Sequence, residues 1–417
     1  MGKNSIKARN GLVAALDVGT TKVACFVARM DDGRPHVVGI GHQPTRGMRA
    51  GGVVDMEQVV GSVLATVSAA EQMAGDTLHE VLVSVSGGGL QSRTVTVEMA
   101  IGGHEVTDGD VRRVLAQGRL NPPQPDRAFL HAIPVGFSID GSRGIRDPRG
   151  MSGERLGVNM HLVSGGTAAL RNLETAVGRC HLRASEFVAS PYAAGLSCLV
   201  EDEMDLGCTV IDMGGGTTSI AVFIEGRLVF LDSIPVGGNH VTNDIARGLS
   251  TPLAHAERMK TLYGSATVTP ADNREIIDVP LIGEEEHARA NHVPKSILNG
   301  IIQPRLEETF ELVRSRLEAG GFARAAGRRA VLTGGASQLQ GARELAGIML
   351  DKQTRIGRPT GLPGLAEATA GPAFSACAGL IDYAVRNAAE ARHPAGMPEA
   401  KNHSWFGRVG LWFRENL

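Results

Sequence analysis

The stretch that decides the fold is residues 208–238, CTVIDMGGGTTSIAVFIEGRLVFLDSIPVGG, in which an apolar β-branched run ends at Asp212 and a glycine–threonine turn. A second β-rich run, a turn and a third run follow, so the pattern predicts three consecutive strands. Residues 12–41, LVAALDVGTTKVACFVARMDDGRPHVVGIG, repeat this order around Asp17. The recurrence predicts two related lobes, each built on a sheet. The alternative is two unrelated glycine-rich hairpins, which the repeated order of Asp, Gly and Thr disfavours.

Length and composition fit an ordinary globular protein of 417 residues with 42% hydrophobic content. Single cores stop growing at roughly 250–300 residues, so two or more lobes are expected. A net charge of −2 gives no nucleic-acid footprint, and we expect no nucleic-acid partner. The five cysteines form no C-x-x-C pair, which favours buried thiols in a reducing cytoplasm. We find neither a signal-peptide pattern nor a run of about 20 apolar residues, so any membrane attachment needs another device.

The chain between and after the two repeats alternates strand-like and helix-like patterns. Residues 86–166 predict a small α/β subdomain inserted in the first lobe. Residues 184–200, ASEFVASPYAAGLSCLV, predict a helix rich in small residues, and residues 237–264 predict two helices broken at Pro252.

Three glycine turns carry the binding chemistry, because glycine lets backbone N–H groups approach phosphate oxygens closely. Asp17 and Asp212, at the ends of predicted strands, are placed to hold hydrated Mg²⁺, which bridges nucleotide phosphates. Facing loops would clamp the β- and γ-phosphates between the lobes, and a third turn suits the flat face of an adenosine. The predicted residues are Asp17, Gly19, Thr20, Thr21 and Lys22; Asp212, Gly214, Gly215, Gly216 and Thr217; and Gly334, Gly335, Ala336 and Ser337. The P-loop pattern G-x-x-x-x-G-K-[ST] is absent.

In this order the motifs resemble the five-motif nucleotide site of the actin superfamily, which also holds heat-shock chaperone ATPases and sugar kinases. The resemblance implies an α/β, two-lobed actin-like (ribonuclease H-like) fold with ATP and Mg²⁺ as ligands. The small residues of its two connecting helices would let those helices cross closely as a hinge. The resembling stretches are LDVGTTK at 16–22, EFVASPYAAGL at 186–196, IDMGGGTT at 211–218, VLTGGASQLQGARELA at 331–346 and AFSACAGLI at 373–381.

Three charged residues gain a role from this resemblance. Glu257 and Lys260 match the A-E-x-x-K pattern by which bacterial actins contact ribose and adenine, the alternative being a solvated i,i+3 ion pair. Glu186 precedes Tyr192 by six residues, where actin-like proteins place the residue that orients the attacking water. It is the one catalytic candidate, and a solvated glutamate at a helix start is the alternative.

A closer resemblance, over essentially the whole chain, is to the FtsA family of actin-like bacterial cell-division proteins. It rests on residues 144–163, GIRDPRGMSGERLGVNMHLV, on residues 237–264 and on an aromatic C-terminal tail. The resemblance implies an ATP-binding protein with weak turnover that polymerises and tethers FtsZ to the inner face of the cell membrane at the division septum. The partners it implies are the FtsZ C-terminal tail, further copies of the chain, later divisome membrane proteins and anionic lipids.

The family layout predicts the following boundaries. The first-lobe core covers 10–85, 167–203 and 364–387, with the insert at 86–166; the second-lobe core covers 204–238 and 301–363; a smaller second-lobe subdomain, the expected FtsZ-tail site, covers 239–300; a flexible linker covers 388–402; and an amphipathic membrane-targeting helix covers 403–417.

The tail places five apolar residues on one helical arc of about 120°. They are Trp405, Phe406, Val409, Trp412 and Phe413. Such a stripe beside arginines is typical of a helix lying in a membrane interface; docking on the protein's own surface or on a partner is the alternative. Two other functions share the fold: an assembly ATPase of a pilus or secretion machine, and a sugar or carboxylate kinase. A kinase has no use for such a tail.

Overall fold

The structure is a computed structural model that describes residues 11–31, 33–283 and 291–392, with side chains described as far as residue 387. Its strands are β1 (Leu12–Val18), β2 (Lys22–Asp31), β3 (Arg34–Pro44), β4 (Met48–Arg49), β5 (Gly52–Val53), β6 (Glu80–Val85), β7 (Gln91–Ala100), β8 (Arg127–Ile139), β9 (Ser142–Ile145), β10 (Arg155–Gly166), β11 (Arg183–Ala189), β12 (Cys208–Met213), β13 (Thr218–Ile224), β14 (Arg227–Ile234), β15 (Ile276–Val279), β16 (Asn291–Pro294), β17 (Arg329–Thr333) and β18 (Gln353–Ile356). Its α-helices are α1 (Met56–Ala74), α2 (Asp108–Arg119), α3 (Thr167–Arg179), α4 (Ser190–Cys198), α5 (Glu201–Leu206), α6 (Gly238–Gly248), α7 (Leu253–Tyr263), α8 (Lys295–Ala319), α9 (Phe322–Ala325), α10 (Ala342–Leu350) and α11 (Ser375–Arg392).

Two core sheets share one topology. The first has the order β11-β6-β1-β2-β3, with β1, β2 and β3 antiparallel and with β6 and β11 parallel to β1. The second repeats it as β18-β17-β12-β13-β14. The first repeated stretch forms β1–β3 and the second forms β12–β14, and these strands hold equivalent positions in the two sheets. The predicted two-lobed fold is therefore confirmed, and Asp17 and Asp212 occupy equivalent strand ends.

Helix α1 shows how the first lobe closes over its sheet. Its start is fixed by Asp55, whose side chain accepts a hydrogen bond from the Gln58 N–H, and its end by Gly75, which is left-handed at φ 71°. The helix packs against β3, where glycine makes the contact possible: a Cβ on Gly39 would lie 2.9 Å from the Ala74 Cβ. The sheet and helix share a buried apolar core that also receives α4 and α11.

The insert is an antiparallel sheet, β7-β10-β8-β9, with α2 on one face. Thr107 and Asp110 form a reciprocal capping box at the start of α2. The apolar side chains between α2 and the sheet form a core of their own. Strand β7 also pairs with β14 at Gln91 and Asp232, so the insert continues the second core sheet into nine strands.

The smaller subdomain of the second lobe consists of α6, α7 and the β15–β16 hairpin beside α8. Helices α6 and α7 are interrupted between Leu249 and Pro252, as predicted. Proline at the N-cap of α7 needs no backbone donor, which explains why the break falls there. Helix α8 runs through Pro304 without ending.

Two sequence predictions are wrong in detail. Residues 184–200 do not form one helix, since residues up to Ala189 belong to β11, which pairs with β6, and α4 starts at Ser190 with Pro191 in its first turn. The predicted linker 388–402 begins too early, because α11 continues to Arg392. Its residues 388–392, AAEAR, are strong helix formers that extend a packed helix.

Candidate nucleotide site

The two phosphate-type loops face each other across the lobes. Each is closed by the same backbone bond: Gly19 N–H donates to the Lys22 carbonyl at 2.9 Å, and Gly214 N–H donates to the Thr217 carbonyl at 2.8 Å. A Cβ on Gly216 would lie 2.5 Å from Thr20 Oγ1, so only glycine permits this approach. A Cβ on the neighbouring Gly215 would likewise overlap the Thr21 side chain. The sequence-predicted loops are thus brought together at the ends of β1 and β12.

Two carboxylates lie behind these loops. Asp17 is buried and accepts a hydrogen bond from the Ser84 hydroxyl at the end of β6. Burial, reinforced by the nearby Asp17 carboxylate, raises the pKa of Asp212 to about 6, against the opposing influence of Ser190 and Lys22. Two mutually repelling carboxylates at equivalent strand ends form a donor set that a divalent cation would neutralise.

The donor set also limits what kind of cation fits. Among the described residues no group of three or more His, Cys, Asp or Glu side chains is arranged to cage a metal ion. Mg²⁺ usually keeps several of its waters and takes one or two carboxylates with substrate phosphates. Asp17 and Asp212 therefore fit a hydrated Mg²⁺ and do not fit a transition-metal site.

Lys22 links the first phosphate loop to residues 373–374, which immediately precede α11. Its Nζ lies 3.8 Å from Asp17 Oδ2, donates to the Ala373 carbonyl and sits 4.1 Å from the centre of the Phe374 ring. Its predicted role as a phosphate donor stays a prediction.

The adenosine-type turn packs directly on the second phosphate loop. Gly334 has a positive φ of 82°, and a Cβ there would lie 2.6 Å from Asp212 Oδ1. The Ser337 hydroxyl, which is buried, donates to the Gly334 carbonyl at 2.7 Å. Ser337 thus shapes the turn from inside, whereas Gly335 is exposed and Ala336 is half-buried.

The start of α6 joins this turn to the phosphate loop. Gly238 N–H donates to the Gly214 carbonyl at 3.0 Å, and Asn239 N–H donates to the Gly215 carbonyl at 2.8 Å. A Cβ on Gly238 would lie 3.2 Å from the Ala336 Cβ. The helix N-terminus, the loop and the turn therefore form one continuous wall, to which the macrodipole adds positive potential.

Glu257 and Lys260 meet beside that wall. Lys260 Nζ donates to Glu257 Oε2 at 2.6 Å, to Thr242 Oγ1 at 2.9 Å and to the Gly238 carbonyl at 3.2 Å. The Lys260 side chain is 14% exposed and that of Glu257 is 52% exposed, so the pair lies at the edge of the wall with its lysine turned inward. Contact of this pair with ribose or adenine stays a prediction.

Glu186 lies apart from the loops. It is on β11, opposite Leu82 of β6, and Leu82 precedes Ser84 by two residues. The Glu186 carboxylate accepts a hydrogen bond from the Tyr383 hydroxyl at 2.5 Å. The alternative of a glutamate at a helix start is wrong. The bond to Tyr383 supports a packing role, and a catalytic role stays a prediction.

The two connecting helices cross as closely as their composition predicts. A Cβ on Gly379 of α11 would overlap the backbone carbonyl of Ala193 in α4. A Cβ on Gly195 would lie 2.4 Å from the nearest atom of the Phe223 ring of β13. The predicted close crossing is confirmed.

The sequence does not predict an aromatic cluster that lies beside this crossing. His131 of β8 packs edge-on against Tyr192 of α4 and Tyr383 of α11, and its Nε2 accepts the Ala189 N–H at 3.0 Å. Burial lowers the pKa of His131 to about 3, so the ring is neutral and can accept. The sequence feature that could have indicated this cluster is His131, a histidine within the β-rich run 129–140.

The predicted membrane residues, Trp405, Phe406, Val409, Trp412 and Phe413, lie outside the described residues, as does the linker after Arg392. Within the part of the chain that is described, no helix is both long and apolar enough to cross a membrane.

The two related sheets, the facing loops and the crossing helices define a two-lobed actin-like protein, and comparison with solved structures agrees on the fold. The complex titled "PilM-PilN type IV pilus biogenesis complex" aligns with a TM-score of 0.63 at 17% identity, over 90% of this chain and 98% of that one. MreB5 of Spiroplasma citri bound to ADP aligns with a TM-score of 0.55 at 15% identity, over 92% and 98%. These likenesses show the fold alone.

Sequence comparison is more specific. Residues 209–379 match the family described as "Cell division protein FtsA", and residues 87–164 match "SHS2 domain inserted in FTSA". The cell division protein FtsA of Rhizobium meliloti (strain 1021) is 47% identical over 423 residues, covering 98% of this chain and 96% of that protein. The chain belongs to the FtsA family of cell division proteins. Membership of that family favours neither the kinase nor the pilus-assembly alternative.

Proposed function

We propose that the chain is an ATP-binding, polymerising adaptor that anchors FtsZ filaments to the cytoplasmic side of the cell membrane at the division septum. It would also help to recruit later divisome membrane proteins. The observation that carries the proposal is membership of the FtsA family over nearly the whole chain. Its nucleotide site and its C-terminal sequence supply the parts that such an adaptor needs.

ATP with Mg²⁺ is the ligand that the site geometry supports best. The facing glycine loops would turn backbone N–H groups toward phosphates, and Asp17 and Asp212 would hold Mg²⁺ through water. When bound, the cation would neutralise charge on the phosphates. Lys260 beside Gly238 would contact the nucleoside. Related folds bind such ligands, since the MreB5 neighbour carries ADP. Turnover is expected to be weak, because Glu186 is engaged by Tyr383.

The smaller second-lobe subdomain is the proposed docking surface for the FtsZ C-terminal tail. Its surface around α7, the hairpin and the start of α8 exposes large apolar side chains. They are Leu253, Leu262, Tyr263, Val268, Ile276, Ile282 and Ile297. Exposed apolar side chains gathered on one subdomain mark a binding surface more often than scattered ones do.

This surface is tested by Tyr263→Ser and Ile276→Ser, with Ile348→Ser as the matched control. Ile348 is equally apolar and 75% exposed, but it lies on α10 of the second-lobe core. We expect the first two changes to weaken binding of an FtsZ C-terminal peptide about tenfold by anisotropy, since exposed hot-spot truncations cost about 1–2 kcal/mol. Equal binding by all three variants would refute this location.

Membrane attachment is proposed to come from residues 403–417. The apolar stripe containing Trp405 and Trp412 would enter the interface while Arg408 and Arg414 face lipid phosphates. One short amphipathic helix binds weakly, whereas several tails on one filament would raise avidity by roughly 10²–10⁴. Recruitment to membranes is therefore expected to depend on self-association.

The coupling is tested by flotation with vesicles that contain anionic lipid. The full chain should float with the vesicles in ATP and Mg²⁺, and the chain without residues 403–417 should stay in solution. A variant that remains monomeric by sedimentation should float far less than the polymerising chain. Equal flotation of the monomeric variant would show that avidity plays no part.

A further inference from the structure

One buried hydroxyl lies beside the nucleotide site without a hydrogen bond among the described residues. It belongs to Ser190, the first residue of α4, which is 2% exposed. The same hydroxyl lies close enough to the Asp212 carboxylate to lower the pKa of that group, although no hydrogen bond of normal geometry joins the two. A buried polar group without a partner destabilises a fold, so the place of this hydroxyl needs an explanation other than packing.

The first lobe shows what a hydroxyl does at such a place. Asp17, at the end of β1, accepts a hydrogen bond from Ser84 of the neighbouring strand β6. Ser190 directly follows β11, the strand on the other side of β6, and it is the one hydroxyl among the groups that act on Asp212. One of the two carboxylates proposed to receive Mg²⁺ is therefore held by a hydroxyl, and the other lies beside an unpaired one.

The backbone around Ser190 is fixed, so only its side chain is free to turn. The preceding residue, Ala189, pairs with Val85 of β6, and its N–H donates to His131 Nε2 at 3.0 Å. The next residue, Pro191, lies in the first helical turn, where its ring fixes φ. A serine side chain has three staggered rotamers, and its hydroxyl can donate in each of them. Ser190 can thus bond to a nearby acceptor without a change in the fold.

We propose that Ser190 is a positioning residue for Asp212, whose carboxylate it holds by donating a hydrogen bond when hydrated Mg²⁺ and nucleotide occupy the site. A hydroxyl bonded to one carboxylate oxygen leaves the other oxygen directed at the ligand, as outer hydrogen bonds do for metal-binding side chains generally. The bond joins α4, one of the two crossing helices, to β12 of the second lobe. This inference rests on the proposed function and adds to it a residue that the glycine-loop motifs do not contain.

Calorimetry on the full chain tests this role by comparing ATP affinity in Mg²⁺ with ATP affinity in EDTA. Ser190→Ala removes the hydroxyl, whereas Ser190→Thr keeps it. Thr209→Val is the matched control, because Thr209 is also buried and its Oγ1 also lacks a hydrogen bond among the described residues. Thr209 lies on β12 itself, three positions before Asp212, so its side chain is on the opposite face of the sheet.

Ser190→Ala should reduce the Mg²⁺-dependent gain in ATP affinity about tenfold, which is the lower end of what outer hydrogen bonds to metal-binding side chains contribute. Its thermal midpoint without ligand should stay the same or rise, because an unpaired buried hydroxyl is removed. Ser190→Thr should keep the Mg²⁺-dependent gain. Thr209→Val should leave both affinities unchanged.

An equal loss of affinity in Mg²⁺ and in EDTA for Ser190→Ala would show that Ser190 only packs, and would overturn the inference. Normal ATP binding with an unaltered Mg²⁺-dependent gain in Ser190→Ala would overturn this inference alone. If the unsubstituted chain bound no ATP, the proposed function would fail and this inference would fail with it.

Discussion

The crossing of α4 and α11 gives the sharpest stability prediction, through Gly379→Ala. The new Cβ would overlap the Ala193 carbonyl, so the helices must separate by about 1 Å or more. Overpacking of this kind costs about 3 kcal/mol, and alanine returns about 1 kcal/mol of helix propensity. The net expectation is a loss of about 2 kcal/mol in the free energy of unfolding.

The control is Gly61→Ala in α1. A Cβ there meets no heavy atom within 4 Å, so only the propensity gain remains. The two substitutions are chemically identical, yet the first should lower the thermal midpoint and the second should raise it. The assay is thermal unfolding followed by circular dichroism, with nucleotide binding measured in parallel because the crossing is the expected hinge. If Gly379→Ala raised the midpoint as Gly61→Ala does, the close crossing would be refuted.

Three further outcomes are expected. Burial lowers the pKa of both His131 and His161 to about 3, with His131 adding to the effect on His161. The unfolded chain therefore takes up protons below pH 6.5 that the folded chain does not, and stability falls as pH falls, by about 2 kcal/mol per histidine at pH 5. His161→Met should remove that share of the slope in urea titrations at pH 7 and pH 5, and an unchanged slope would contradict it. Asp212→Asn should weaken Mg²⁺-dependent ATP binding at least about tenfold by calorimetry while leaving the ligand-free midpoint unchanged or higher, because a buried repulsion with Asp17 is relieved; a lowered midpoint with normal binding would contradict it. Lys260→Ala should weaken ATP binding about tenfold and also lower stability by about 1–3 kcal/mol, because the Gly238 carbonyl and Glu257 lose their donor; unaltered affinity would place the nucleoside elsewhere.

Much of the fold was predictable because it rests on local patterns that occur twice. The runs ending at Asp17 and Asp212 each encode three strands and a glycine loop, and both sheets use them in the same way. Glycine and alanine in the connecting helices likewise predicted that these two helices pack closely, as Gly379 and Ala193 do. Features that depend on residues close together in the sequence, such as the glycine loops and the small-residue helices, can be predicted from the sequence alone.

What could not be predicted depends on residues distant in the chain. Residues 184–189 carry small and helix-compatible side chains, and only pairing with β6 makes them a strand. The partner of Glu186 is Tyr383, and that of Asp17 is Ser84, neither of which spacing reveals. The pairing of Gln91 in β7 with Asp232 in β14, which joins the insert sheet to the second core sheet, also connects residues far apart in the sequence.

We propose that one molecule links the FtsZ tail to a membrane. This proposal is tested most directly by flotation of a labelled FtsZ C-terminal peptide with anionic vesicles in ATP and Mg²⁺. The peptide should float with the full chain present and should stay in solution without the chain, or with a chain that lacks residues 403–417. Peptide that remains in solution with the full chain present would contradict the account.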